Sequence, residues 1–135
     1  MNNGDKIIKK LQMMPHPEGG HFKESYRDNN ISLIYYLLKK NEKSHWHRLK
    51  KNEILHFYDG DPLIVNLSKD GINTEQKILN NHEDQLSHLV VKRGTWFSME
   101  TKGEFSLIGC TVAPAFDYAD FELAPQNWKP KNQLS

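Results

Sequence analysis

Three histidines, His45, His47 and His56, fall within twelve positions of this chain, with Glu53 between them. In a β-strand, residues i and i+2 point to one face. A strand through His45-Trp46-His47 therefore presents two imidazoles side by side, and a carboxylate from the next strand can close the group. Two neutral imidazoles and a carboxylate suit Fe, Mn, Ni or Zn, which makes His45, His47 and Glu53 a candidate set for a divalent metal. Without metal, the same groups make a general base, His47, and an orienting acid, Glu53. His56 is a third catalytic candidate, but strand parity restricts it. Glu53, Leu55 and Phe57 share one face of a regular strand, while Ile54, His56 and Tyr58 share the other. A bulge would bring Glu53 and His56 into one cavity; without one, His56 has a structural or interface role.

Four more side chains are candidates for contact with a ligand. Tyr36 and Trp96 offer aromatic walls to a planar or sugar-like molecule, the alternative for each being core packing. Glu24 and Arg27 suit a polar or anionic ligand, Arg27 through bidentate contacts; the alternative is a strand-edge ion pair worth little.

The elements that must position these groups follow from composition and pattern. The chain has 135 residues, enough for one packed core, and a net charge of +1, which speaks against a dedicated nucleic-acid binder. Its longest apolar run, Leu33 to Leu38, is far short of the ~20 residues a membrane helix needs. No apolar leader segment follows Met1, so a cytoplasmic location is expected. The single Cys110 excludes a disulfide within one chain and reads as a small buried hydrophobe. Ile7, Ile8, Leu11 and Met14 recur at helical spacing behind a capping Asp5, predicting one short helix over residues 5–13 that Pro15 and Pro17 terminate. Short runs of β-branched and aromatic residues then alternate with turn signals. The clearest strands are Phe22–Arg27, Ser32–Leu38, His45–Leu49, Glu53–Tyr58, Leu63–Leu67, Thr74–Leu79, Leu86–Val91, Phe105–Val112 and Tyr118–Leu123. The fold class is all-β: a sandwich, jelly roll or small barrel with a polar interior. The domain spans residues 1–125, and residues 126–135 read as a loosely held polar tail.

The stretch His45-x-His47, five residues, Glu53, six residues, Gly60 resembles the first signature of the cupin superfamily: His-x-His, three or four residues, Glu, six residues, Gly. Four ordered blocks, His16 to Arg27, Trp46-His47-Arg48, Glu53 to Leu63 and Gly109 to Asp117, are similar to a small single-domain family of mostly uncharacterised proteins within the RmlC-like cupin superfamily. The resemblance implies a double-stranded β-helix, the cupin jelly roll, with a short N-terminal helix, and a homodimer. It also implies a metal at His45, His47 and Glu53. Here the sequence departs from the pattern. The second cupin signature ends in a histidine ligand, and the matching segment, Lys92-Arg93-Gly94-Thr95-Trp96-Phe97, ends in Phe97. A looser similarity of Gly20 to Tyr26 to the metal-free dTDP-sugar 3,5-epimerases places His47 as the base of an isomerisation or epimerisation of a sugar or sugar nucleotide. Gly19 stands where that group has its phosphate-binding Arg, and Glu53 where it has a basic residue. The functional expectation is a barrel that binds a small polar metabolite and acts on it through His47. The alternatives are a non-catalytic binding cupin and a metal-dependent cupin enzyme.

Overall fold

The computed structural model describes residues 2–82 and 85–132. Helix α1 (Asn3–Leu11) is followed by β1 (Met14–Pro15), β2 (His21–Arg27), β3 (Ser32–Lys39), β4 (Lys43–Leu49), β5 (Asn52–Gly60), β6 (Leu63–Ser68), β7 (Glu75–Leu79), β8 (His88–Val91), β9 (Trp96–Thr101), β10 (Phe105–Ala113) and β11 (Phe121–Leu123). Two antiparallel sheets, ordered β1-β2-β3-β10-β5-β8 and β11-β4-β9-β6-β7, face each other as a jelly roll. No helix among the described residues is long and apolar enough to cross a membrane.

Alternation builds the core. Leu55 and Phe57 from one sheet meet Val65, Phe97 and Met99 from the other, all buried. The helix lies outside this core. Its Ile7, Ile8 and Leu11 cover Leu37 and Phe105 on the outer face of the larger sheet. The N-cap is Asn2, whose side chain accepts the Asp5 amide at 2.8 Å; Asp5 itself sits in the first turn and pairs with Lys39 at 2.9 Å. The helix therefore starts and stops earlier than its apolar spacing predicts, ending where Gln12 turns left-handed.

Three expectations are corrected. Strand β9 was not among the strands read from sequence. Tyr118–Asp120 forms a 3-10 turn, because the Asp117 side chain accepts the Ala119 amide at 2.9 Å and offers the backbone an alternative to extension. Residues 126–132 are a docked segment, not a loose tail. Lys131 and Asn132 donate main-chain hydrogen bonds to Gly71 and Ile72, Pro130 is buried, and Trp128 packs 4.6 Å from Trp96 on the outer face of the smaller sheet. The remainder of the expected tail, residues 133–135, lies outside the described residues.

Candidate functional site

The two sheets close around a cavity of about 440 Å³, mouth included, near one end of the barrel. His47 and Glu53 reach it from facing sheets, and Tyr36 and Cys110 complete one wall. Its remaining polar groups come from a turn that the spacing arguments left without a role: His16 and Glu18 also line it.

The turn explains how. Gly19 (φ 113°) and Gly20 (φ 75°) reverse the chain between β1 and β2. A Cβ on Gly19 would overlap the main-chain oxygen of Lys43, so only glycine lets the turn press onto the start of β4. The His45 amide fixes the contact by donating to the Glu18 carbonyl at 2.8 Å, and the Tyr36 hydroxyl donates to the Gly19 carbonyl. Glu18 is thereby driven inward, where it accepts the Ser44 hydroxyl and stands 3.5 Å from His47 Nε2. The visible signal for this was Glu-Gly-Gly after Pro17. What it lacked was any local hint of the partner, which lies 26 residues away.

Strand β4 does not keep regular parity. Its register against β9 runs Lys43 with Glu100, Ser44 with Met99 and then His47 with Phe97, so two residues, His45 and Trp46, oppose one. The bulge turns both Ser44 and His47 inward although they are three apart. His45 turns away, and its Nε2 donates to the Pro125 carbonyl at 2.9 Å. Trp46 packs outward against Trp128. The two imidazoles expected to stand side by side are thus on different sides of the sheet.

The metal implied at His45, His47 and Glu53 does not fit this arrangement. His45 is directed elsewhere, and Phe97 lies against the His47 ring, 4.1 Å between centroids. Among the described residues no three His, Cys, Asp or Glu side chains converge as a metal requires.

The other candidates separate cleanly. Strand β5 is regular through this stretch, so His56 sits on the outer face of the larger sheet, paired with Thr111 at 3.0 Å and opposite His88. It is remote from the cavity, and the catalytic role expected of it is withdrawn. Trp96 belongs to the outer tryptophan cluster, with the Arg48 guanidinium 4.3 Å above its ring, and does not line this cavity. Glu24 and Arg27 form a bidentate pair at 2.9 Å at the barrel rim. They do not line the cavity; instead Arg27 donates to the Phe116 carbonyl at 2.7 Å. Tyr36 is where a ligand contact would need it, although its hydroxyl is committed to Gly19.

Residues 114–121 form a strap beside the cavity, which Phe116 and Phe121 line. Lys51 holds the strap by donating to the Ala115 carbonyl at 2.7 Å and pairing with Asp120 at 2.8 Å; Ser32 holds it by accepting the Phe116 amide at 2.8 Å.

Proton positions follow from the hydrogen bonds. A carbonyl only accepts, so the His47 Nδ1 that meets the His45 carbonyl at 2.7 Å carries a hydrogen, and Nε2, the atom facing Glu18 and the cavity, is the one that takes or gives a proton. His16 is the reverse: its Nδ1 accepts the Glu18 amide at 3.1 Å. Burial, with His47 adding to it, lowers the His16 pKa and keeps the ring neutral, despite Glu18 pulling the other way. Glu53 is pushed up to about 8, first by burial and then by the charge of Glu18, against the Cys110 thiol that hydrogen-bonds it. At neutral pH it is a carboxylic acid. Burial also raises the Cys110 thiol well above its ordinary value.

A jelly roll whose sheets close around a cavity lined by two imidazoles, His16 and His47, and two carboxyl groups, Glu18 and Glu53, has the architecture of a cupin. The cupin superfamily family model designated DUF985 matches residues 5–124, and the chain belongs to this family. A solved protein from Shewanella oneidensis is 33% identical with a TM-score of 0.87, covering 93% of this chain and 87% of its own. A hypothetical protein from Leishmania major is 28% identical with a TM-score of 0.82, covering 94% and 90%. Oxalate decarboxylase from Lactobacillus farciminis shares the fold at 14% identity and a TM-score of 0.66, over 86% of this chain and 34% of its own. No curated protein matches the sequence.

Proposed function

We propose that this cupin binds a small polar metabolite in the barrel cavity and moves a proton on it by acid–base chemistry alone. The observation that carries the reading is the pairing of roles in one cavity: His47 Nε2, with its tautomer fixed from behind, and the neutral acid Glu53. Suitable chemistry is isomerisation or epimerisation next to a carbonyl. His47 Nε2 takes the proton from the carbon, the C–H electron pair becomes a C=C bond, and the carbonyl oxygen takes the Glu53 proton. Delivery of the His47 proton to the former carbonyl carbon, with the ionised Glu53 taking the proton of the other enediol hydroxyl, completes an isomerisation. Glu18 stabilises the imidazolium formed on His47, and Phe116 and Phe121 keep bulk water out.

The fitting substrate is a small carbonyl compound. Much of the cavity's volume of about 440 Å³ is open mouth, so the nucleotide part of a sugar nucleotide would have to remain outside the strap. Small hydroxycarbonyl compounds incubated with the protein in D₂O should gain deuterium at the carbon next to the carbonyl, and His47→Gln should stop the gain. Saturable binding with no deuterium in any such compound would instead make this a binding cupin.

A further inference from the structure

The cavity carries an unusual balance of charge. Glu18 and Glu53 both face it, and among the described residues no Lys or Arg lines it. The nearest cations on the strap side, Arg27 and Lys51, are already engaged by Glu24 and Asp120 and by the Phe116 and Ala115 carbonyls. An imidazolium on His47 is matched by Glu18 at 3.5 Å. Of the remaining walls, Ile34, Leu49, Met99, Val112 and the two strap phenylalanines are apolar, and the polar ones, His16, Ser32 and Tyr36, bring no positive charge. Glu53, only 8% exposed, has the weakly donating Cys110 thiol as its partner, and so retains hydrogen-bonding capacity directed at whatever fills the space.

We infer that the site selects an uncharged ligand, a small neutral hydroxycarbonyl compound, and rejects carboxylates, phosphates and amines of the same size. The inference rests on the proton-transfer reading for the carbonyl and on the lining for the charge. A buried anion here would meet no positive partner and one standing carboxylate. An ammonium would have Glu18 alone as counter-charge, and that carboxylate is already taken up by the Ser44 hydroxyl and His47 Nε2. A neutral hydroxycarbonyl compound needs only a donor for its oxygen and acceptors for its hydroxyls, which Glu53 and Glu18 provide.

The test is a size-matched series titrated at pH 7 into the full chain, read by methyl NMR signals of Ile34, Leu49 and Met99. The probes are dihydroxyacetone (neutral), glycerate (anion) and 2-amino-1,3-propanediol (cation). Dihydroxyacetone should bind at least about tenfold more tightly than either charged probe, a factor of ten in Kd being readily resolved. Glu18→Gln, which removes the carboxylate an anion would face, should raise glycerate affinity about tenfold. Should that variant fail to fold, the wild-type ranking still decides. Glycerate or the amine binding as well as dihydroxyacetone overturns the inference. Because the readout is binding, it separates from the function proposed above: charge selection without deuterium uptake sinks only the proton-transfer reading. Deuterium uptake into a charged compound sinks only the selection.

Discussion

The main-chain carbonyl of His45 accepts the Nδ1 hydrogen of His47 at 2.7 Å, so the two histidines of the His-x-His signature are a base and its clamp. The clamp is backbone and does not depend on the His45 side chain. His45→Ala should remove only the Nε2 to Pro125 hydrogen bond, costing about 0.5–1.5 kcal/mol in urea denaturation. Ligand binding and any deuterium uptake should stay within about twofold, since the fixed tautomer survives. His47→Gln should abolish the uptake. Equal damage from both variants would put the two side chains back into one site.

Glu53 makes the fold pH-sensitive in a stated direction. Its folded pKa of about 8 lies above the ordinary carboxyl value of 4.5, so the native state holds a proton that the unfolded chain releases. Its contribution is fully present below pH 4.5 and is lost as pH rises through 8. Over that window Glu53 should cost a few kcal/mol of stability, with Glu18 sharing in it. Glu53→Gln should flatten the fall between pH 5 and 8 in thermal melts. An unchanged slope would mean that the carboxyl is ionised in the folded protein.

The strap depends on Lys51. Lys51→Met removes its bonds to Ala115 and Asp120 while keeping the side-chain stem. Amide exchange across residues 115–121 should accelerate by about tenfold or more, with β3 and β10 unaffected. Exchange that accelerates throughout the barrel would instead make Lys51 a global stabiliser.

Trp128 ties the C-terminal segment to Trp46 and Trp96. Trp128→Ala should cost about 2–3 kcal/mol, less than a fully buried Trp, because the ring is only half-buried. Near-ultraviolet circular dichroism should lose signal from the tryptophan cluster. Stability within error of wild type would show that residues 126–132 dock through their main chain alone.

Cys110 should resist alkylation. The thiol is buried and its ionisation is opposed by burial and by Glu53 and Glu18. Labelling by iodoacetamide at pH 8 should track global unfolding. Rapid labelling of the native protein would mean that the cavity opens far more often than the packed strap implies.

Much of the architecture is legible in the sequence. Residue alternation, turn chemistry and the cupin-like spacing are local properties, and they sufficed for an all-β jelly roll with a short N-terminal helix. Parity along a regular strand also opposed Glu53 to His56, and the two do lie on opposite faces of β5. His47, Glu53 and Tyr36 were singled out by type and spacing, and the structure places all three at the cavity.

Tertiary structure decided the rest. Whether His45 joins His47 depends on a bulge, and a bulge is set by the register of β4 against β9, which no residue pair within β4 encodes. Glu18 enters the site because a glycine turn fits against the Lys43 carbonyl, a contact between segments distant in sequence. Arg27 left the list of ligand contacts because the strap ends beside it, 89 residues along the chain. Residue types and spacing determined which chemistry was available to this protein; close packing of distant segments decided which of those groups share a cavity, because pKa, tautomer and partner are set by what surrounds a group in space.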